Sequence, residues 1–169
     1  MIDTLRLTIH PLTREEMHLL ANAPAELELL LGVPLSESLL SEETREAVVQ
    51  VLLPNLEQVG KDPLFWTMWI FIEKSSGRIA GGICFHGEPD ENGEVEIGYG
   101  TDTGFQGQGI MTEVVAGVLQ WLSGHPLVRA VRAETDSSNP ASIRVLEKNG
   151  FREVGRTEST LIHQHSLPV

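Results

Sequence analysis

The run Glu94-Val-Glu-Ile-Gly-Tyr-Gly-Thr-Asp-Thr-Gly-Phe-Gln-Gly-Gln-Gly-Ile-Met-Thr-Glu-Val-Val-Ala-Gly-Val-Leu-Gln-Trp-Leu-Ser123 decides how this chain is read. Val95 to Tyr99 has the character of a strand. A polar loop with glycines follows and ends at Gly109. From there Ile110, Met111, Val114, Val115, Val118, Leu119 and Leu122 recur at three- and four-residue spacing, one broad face of a helix. Gln106 to Met111 therefore lies where a loop becomes the first turn of a helix buried on one side.

That place has its own chemistry. Backbone N–H groups in a first helical turn lack intrahelical partners, and the helix dipole adds partial positive charge. Gly107 and Gly109 carry no Cβ, so an anion can come close to the backbone. A phosphate or pyrophosphate suits such a turn. A plain strand-to-helix connection explains the glycines equally well, because short glycine patterns are weak signals. A P-loop is excluded, since no Lys follows the glycines. A dinucleotide fingerprint is half met by Gly107-Gln108-Gly109, with Thr112 in the third place and Glu134 near the end of the next strand. Its spacing is wrong, for that fingerprint starts at the strand end and here a loop separates Tyr99 from Gly107.

Gln106-Gly107-Gln108-Gly109-Ile110-Met111 resembles the Q/R-x-x-G-x-G/A acetyl-CoA loop of the GNAT acetyltransferases, with Met111 departing from the usual Gly or Ala. The wider run I-G-Y then F-Q-G-Q-G-I-M-T-E is similar to the ribosomal-protein-alanine N-acetyltransferase branch. So are Asn139-Pro-Ala-Ser-Ile-Arg-Val-Leu-Glu-Lys-Asn-Gly-Phe151 and the opening T-L-R-L-T-I-H-P-L-T. The resemblance spans nearly the whole chain. It implies one acetyltransferase domain over residues 1–169, acetyl-CoA as cosubstrate, an amine acceptor and, at family level, a homodimer. It places the coenzyme on Ile97, Gly98, Tyr99, Gln106, Gly107, Gln108, Gly109, Ile110, Met111, Thr112 and Asn139, and the acceptor between the first two strands.

Composition bounds the rest. Twelve Lys and Arg against 24 Asp and Glu give a formal net charge of −12. Such a surface disfavours nucleic acid and anionic membranes and tolerates cationic amines. Hydrophobic residues make up 41%, enough to bury a core and to argue against disorder. The single cysteine, Cys84, forbids an internal disulfide and fits a cytoplasmic protein; its apolar neighbours make it a small core residue. No apolar run reaches membrane-spanning length, and the first residues lack a basic-then-apolar signal.

Along the chain, alternation from Thr4 to Thr13 predicts a first strand with Leu5, Leu7, Ile9 and Leu12 on its apolar side. Thr13 caps a helix. A leucine-rich region and a second helix from Ser41 follow, with Val48, Val49, Leu52 and Leu53 as the buried side and Pro54 interrupting. Phe65 to Glu73, Arg78 to His86 and Val95 to Tyr99 form an antiparallel meander, its last turn marked by Asn92-Gly93. After the central helix come a strand over Val128 to Thr135, reached by a parallel crossover, a helix from Asn139-Pro140 to Asn149-Gly150, and strands over Phe151 to Arg156 and Thr160 to His165. The class is α+β: a mixed, mostly antiparallel twisted sheet of about seven strands with about four helices.

For amine attack on an acetyl thioester, the amine must lose a proton and the thiolate must gain one. Glu96, on a central strand, is the candidate base, with desolvation expected to raise its pKa; Glu134 and Asp136 are rivals. Asn139 caps its helix and, by the resemblance, donates to the pantetheine. Many relatives carry a Tyr seven residues after this Asn as the acid; here Leu146 stands there, and the resemblance transfers the role to Ser142. His163 and His165 alternate onto one strand face but have no companions, so no metal is expected. A non-catalytic acyl-CoA-binding module and a dinucleotide-dependent oxidoreductase are the competing readings.

Overall fold

The computed structural model describes residues 1–168. Its strands are β1 (Ile2–Asp3), β2 (Leu7–Pro11), β3 (Met68–Glu73), β4 (Arg78–Phe85), β5 (Glu94–Thr101), β6 (Ala130–Asp136), β7 (Arg152–Arg156) and β8 (Thr160–Ser166). They form one sheet in the order β1-β2-β3-β4-β5-β6-β8-β7. Among the described residues only β5 and β6 pair in parallel. The helices are α1 (Arg14–Asn22), α2 (Pro24–Leu31), α3 (Glu42–Ala47), α4 (Leu53–Leu56), α5 (Ile110–Ser123) and α6 (Pro140–Lys148).

The predicted first strand is shorter and folds back on itself. Thr4 N–H donates to the Leu7 carbonyl at 2.9 Å, and Ile2 pairs with Ile9 across the turn. Leu5 therefore lies in the turn, 89% exposed, and does not join the apolar side. Thr13 caps α1 in a reciprocal box: its Oγ accepts from Glu16 N–H at 3.2 Å while Glu16 Oε2 accepts from Thr13 N–H at 2.7 Å.

Pro54 reshapes its helix as its missing N–H requires. The turn before it, Val48–Leu52, is π-helical, and Leu53 N–H reaches back to the Val48 carbonyl. The wider turn relieves the ring's clash with the preceding carbonyls. It also rotates Val49 out to solvent, while Val48, Leu52 and Leu53 stay buried. Phe65 likewise falls in a short 3-10 turn (Pro63–Phe65), and β3 begins only at Met68.

Strand alternation sorts the sheet into two faces. Trp69 and Phe85 meet Trp121 of α5 at ring-centroid distances of 5.0 and 6.0 Å. Val114, Val115 and Leu122 of α5 are fully buried there. Burying each such side chain contributes roughly 1.5–3 kcal/mol. On the opposite face, a Cβ on Gly82 would come within 3.0 Å of both Leu39 and Met68, so the segments between β2 and β3 lie close on that side.

Candidate active site

The site starts from a fault in the sheet. β5 and β6 pair from Glu94↔Ala130 only to Ile97↔Ala133, yet β5 continues to Thr101 and β6 to Asp136. Past Ile97 the two strands part, and the β5 backbone on that side has no strand partner among the described residues. Cavities open on both faces of this gap. One, of about 540 Å³, lies between the β5 end, the Gln106–Gly109 loop and α6. The other, of about 340 Å³, lies on the α3 side. Tyr99 and Gly100 line both, so the cavities meet at the gap.

The larger cavity carries the glycine loop. Gly107 and Gly109 sit at φ 71° and 73°, left-handed conformations that side chains with a Cβ avoid. Through these turns the amides from Gly107 to Thr112 donate to no protein group among the described residues, and the first helical bond is Glu113 N–H to Gly109 carbonyl at 3.2 Å. Unclaimed amides at the start of α5 form an anion cradle. Arg144 and Lys148, one turn apart on α6, line the same cavity and add positive charge. These two cations were within the quoted motif but were not singled out; their i, i+4 spacing on a helix beside the loop was the available signal.

The loop is pinned from behind. Arg6 donates Nη1–H to the Gln108 carbonyl at 2.9 Å and Nε–H to Glu113 Oε2 at 2.7 Å. Glu113 Oε1 also accepts from Arg6 N–H at 2.7 Å and from the Thr4 hydroxyl at 2.6 Å. Burial works to raise the Glu113 pKa, but the Thr4 and Arg6 bonds outweigh it and leave the carboxyl below its ordinary value.

The residues expected at the coenzyme divide by what they present. Gly107, Gly109, Ile110, Met111, Thr112, Gln106, Tyr99 and Asn139 all line the larger cavity. Ile110 and Met111 are buried side chains at the cavity wall, and the departure at Met111 leaves its amide without a protein acceptor among the described residues. Gln106 Nε2–H is used internally, donating to the Thr101 carbonyl at 3.1 Å. Gln108 does not line the cavity; its side chain donates to the Gly104 carbonyl at 2.8 Å. Ile97 is a core side chain and Gly98 faces the smaller cavity, so both fall outside the larger one. Asn139 Oδ1 accepts from Ser142 N–H at 3.1 Å, which makes it the α6 cap.

Leu146 is fully buried in the core and offers no proton. Two hydroxyls at the larger cavity, those of Tyr99 and Ser142, lie 2.9 Å apart. Burial raises the Tyr99 pKa, and the bond to Ser142 offsets only part of that, so the phenol stays protonated at neutral pH.

Glu96 departs from expectation. Its Oε1 lies 2.7 Å from His86 Nδ1, and its Oε2 is 3.6 Å from Arg132 Nε. The bond to His86 outweighs burial, with Arg132 adding to it, and the carboxyl pKa is lowered, not raised. The expected desolvated base is thus an ionised carboxylate in an ion pair. Of the rivals, Glu134 pairs with Arg132, and Asp136 accepts from Ser138 N–H at 2.7 Å. His165 packs tilted against Phe151, ring centroids 5.4 Å apart, and among the described residues no three His, Cys, Asp or Glu side chains gather as a metal site.

A parting pair of parallel strands, an amide cradle at the next helix and cavities on both faces define a coenzyme-thioester acyltransferase framework. The chain matches the acetyltransferase (GNAT) domain family over residues 6–152 and belongs to it. A curated relative, the uncharacterized N-acetyltransferase YjdG of Bacillus subtilis (strain 168), is 35% identical over 83 residues. Those residues are 49% of each protein, so the chain spans about half the length of the curated relative it matches. A RimL ribosomal L7/L12 alpha-N-protein acetyltransferase in complex with coenzyme A superimposes with a TM-score of 0.67 at 21% identity, over 97% of this chain and 96% of that one. The ribosomal-protein-S5-alanine acetyltransferase from Vibrio fischeri does so with a TM-score of 0.67 at 17% identity, over 97% and 94%. At these identities the likeness concerns the fold.

Proposed function

We propose that the protein transfers the acetyl group of acetyl-CoA to a primary amine by direct attack on the thioester. The observation that carries this reading is the pair of cavities meeting where β5 leaves β6. The larger one fits the coenzyme: the free amides of Gly107 to Thr112, with Arg144 and Lys148, suit its diphosphate. Unpaired β5 backbone at Tyr99 suits the amide-rich pantetheine arm. Bound acetyl-CoA supplies an activated acyl group, and the Tyr99–Ser142 hydroxyl pair donates the proton that the sulfur needs. The smaller cavity holds the acceptor. Its walls mix Ser38, Ser41 and Thr44 hydroxyls with the Glu43 carboxylate, over a floor that includes Met68.

A small amine and a protein N-terminus both fit an acceptor of this kind. The protein alpha-N-acetylation carried out by the ribosomal-protein acetyltransferases among the structural neighbours favours an N-terminus. A cytoplasmic setting and a homodimer accompany this reading. The test is thiol release from acetyl-CoA with peptides bearing free N-termini and with small alkyl amines. Turnover on one class identifies the acceptor. Thermal stabilisation by CoA with no turnover on either class overturns the transfer reading in favour of a binding module.

A further inference from the structure

So far His86 has entered only as the partner of Glu96, yet it also lines the acceptor cavity beside the gap. It follows β4 directly, and its N–H bonds the Glu96 carbonyl at 2.9 Å. Its side chain lies across β5 at Gly98. A Cβ built on Gly98 would stand 2.7 Å from His86 Nε2, so the ring rests where a side chain would otherwise be. Gly98 is also the first residue beyond the last β5–β6 pair. Nε2 is thereby set beside the point where the strands part, in the cavity assigned to the acceptor. The other ring nitrogen is committed, since Nδ1 lies 2.7 Å from Glu96 Oε1. Arg132 steadies Glu96 in turn from 3.6 Å. One nitrogen held by a carboxylate and the other turned to a cavity is the arrangement of an oriented acid–base imidazole.

We propose that His86 Nε2 receives the proton of the acceptor amine, and that Glu96 is a positioning residue that fixes the ring. This rests on the acetyl-transfer reading given above. As the N–C bond forms and the C–S bond breaks, the amine proton passes to Nε2. The sulfur takes a proton from the Tyr99–Ser142 pair, and solvent carries one proton from His86 back to that pair, so the cycle balances. The groups facing the ring are Cys84 on β4, Glu96 on β5 with Arg132 of β6 behind it, and Glu43 of α3 on the far cavity wall. The Cys84 side chain first and Glu96 second push the imidazole up to about 10. At that level the ring carries both protons at neutral pH, so Nε2 accepts the amine proton from its unprotonated fraction, and turnover climbs as pH rises toward about 10.

The test compares the wild type with His86→Gln, His86→Ala and Glu96→Gln, using the best acceptor found among N-terminal peptides and alkyl amines. His86→Gln is expected to lower kcat by about a hundredfold. Its acetyl-CoA affinity and melting temperature stay unchanged, because the coenzyme cavity is on the other face. Added imidazole partly restores His86→Ala. In Glu96→Gln, the NMR titration midpoint of the His86 ring falls, because the carboxylate that favours its charged form is gone, and the ascending limb of the kcat–pH profile moves to lower pH with it. A His86→Gln enzyme with wild-type kcat overturns the proposal, as does a ring midpoint unmoved in Glu96→Gln. A wild type that binds acetyl-CoA but acetylates no amine overturns the transfer reading, and the role of His86 with it.

Discussion

Gly98 shows how much of this site depends on a missing side chain. Its Cα hydrogen leaves the space that the His86 ring fills. Gly98→Ala has to push that ring aside, which a half-exposed side chain does at little cost to the fold. We expect a nearly unchanged melting temperature and a kcat reduced about tenfold or more, since small displacements of catalytic groups are costly. Wild-type turnover in Gly98→Ala would show that the ring's place is immaterial. On the other face, Tyr99→Phe removes the phenol that stays protonated beside Ser142. It should lower kcat by about a hundredfold while leaving the KM for acetyl-CoA close to wild type. Ser142→Ala keeps the phenol and should lose less; steady-state kinetics of the two variants separate their parts.

At the scale of elements, the start of α5 is held by its connection to the turn between β1 and β2. Glu113 binds the Thr4 hydroxyl, the Arg6 amide and the Arg6 guanidinium, and that guanidinium also holds the Gln108 carbonyl. Glu113→Gln should therefore weaken acetyl-CoA binding, through a loosened loop, as well as lower stability. Because the Glu113 pKa is depressed in the fold, its contribution is complete above the unfolded carboxylate value, about 4.3. It is lost as pH falls through the lower folded value. The melting-temperature gap between wild type and Glu113→Gln should thus be full at neutral pH and shrink in strong acid. A gap independent of pH would mean that charge at Glu113 does not anchor the loop.

For the whole molecule, the sheet and α5 form the frame on which both cavities depend. Leu122 is fully buried on α5, and Leu122→Ala should cost about 2–5 kcal/mol in chemical denaturation. Net charge acts at the same scale. With −12 overall, the surface attracts a cationic acceptor and repels the anionic coenzyme, leaving Arg144, Lys148 and the loop amides to overcome that repulsion locally. Rising ionic strength should lower kcat/KM for a cationic amine, a trend readable from initial rates across a salt series. Lys148→Ala should raise the Kd for acetyl-CoA several-fold, measured by calorimetry.

Local pattern determined much of this protein by itself. The three-four spacing of Ile110 to Leu122, the capping at Thr13 and Asn139, and the Asn-Gly turn are short-range physics, and each element stands close to where its pattern put it. The glycine loop was legible for the same reason, since left-handed turns and free amides follow from residues next to each other in sequence. What pattern misjudged lay where contacts from elsewhere intervene: Leu5 in a turn closed by a returning strand, and Val49 rotated by the π-turn that Pro54 demands. The order of the last two strands, the parting of β5 from β6 and the pairing of His86 with Glu96 were decided only by tertiary structure. The charge of Glu96 was decided there too. A carboxylate's pKa depends on which partner the fold brings to its oxygens, and periodicity along one chain carries no record of a neighbour across the sheet.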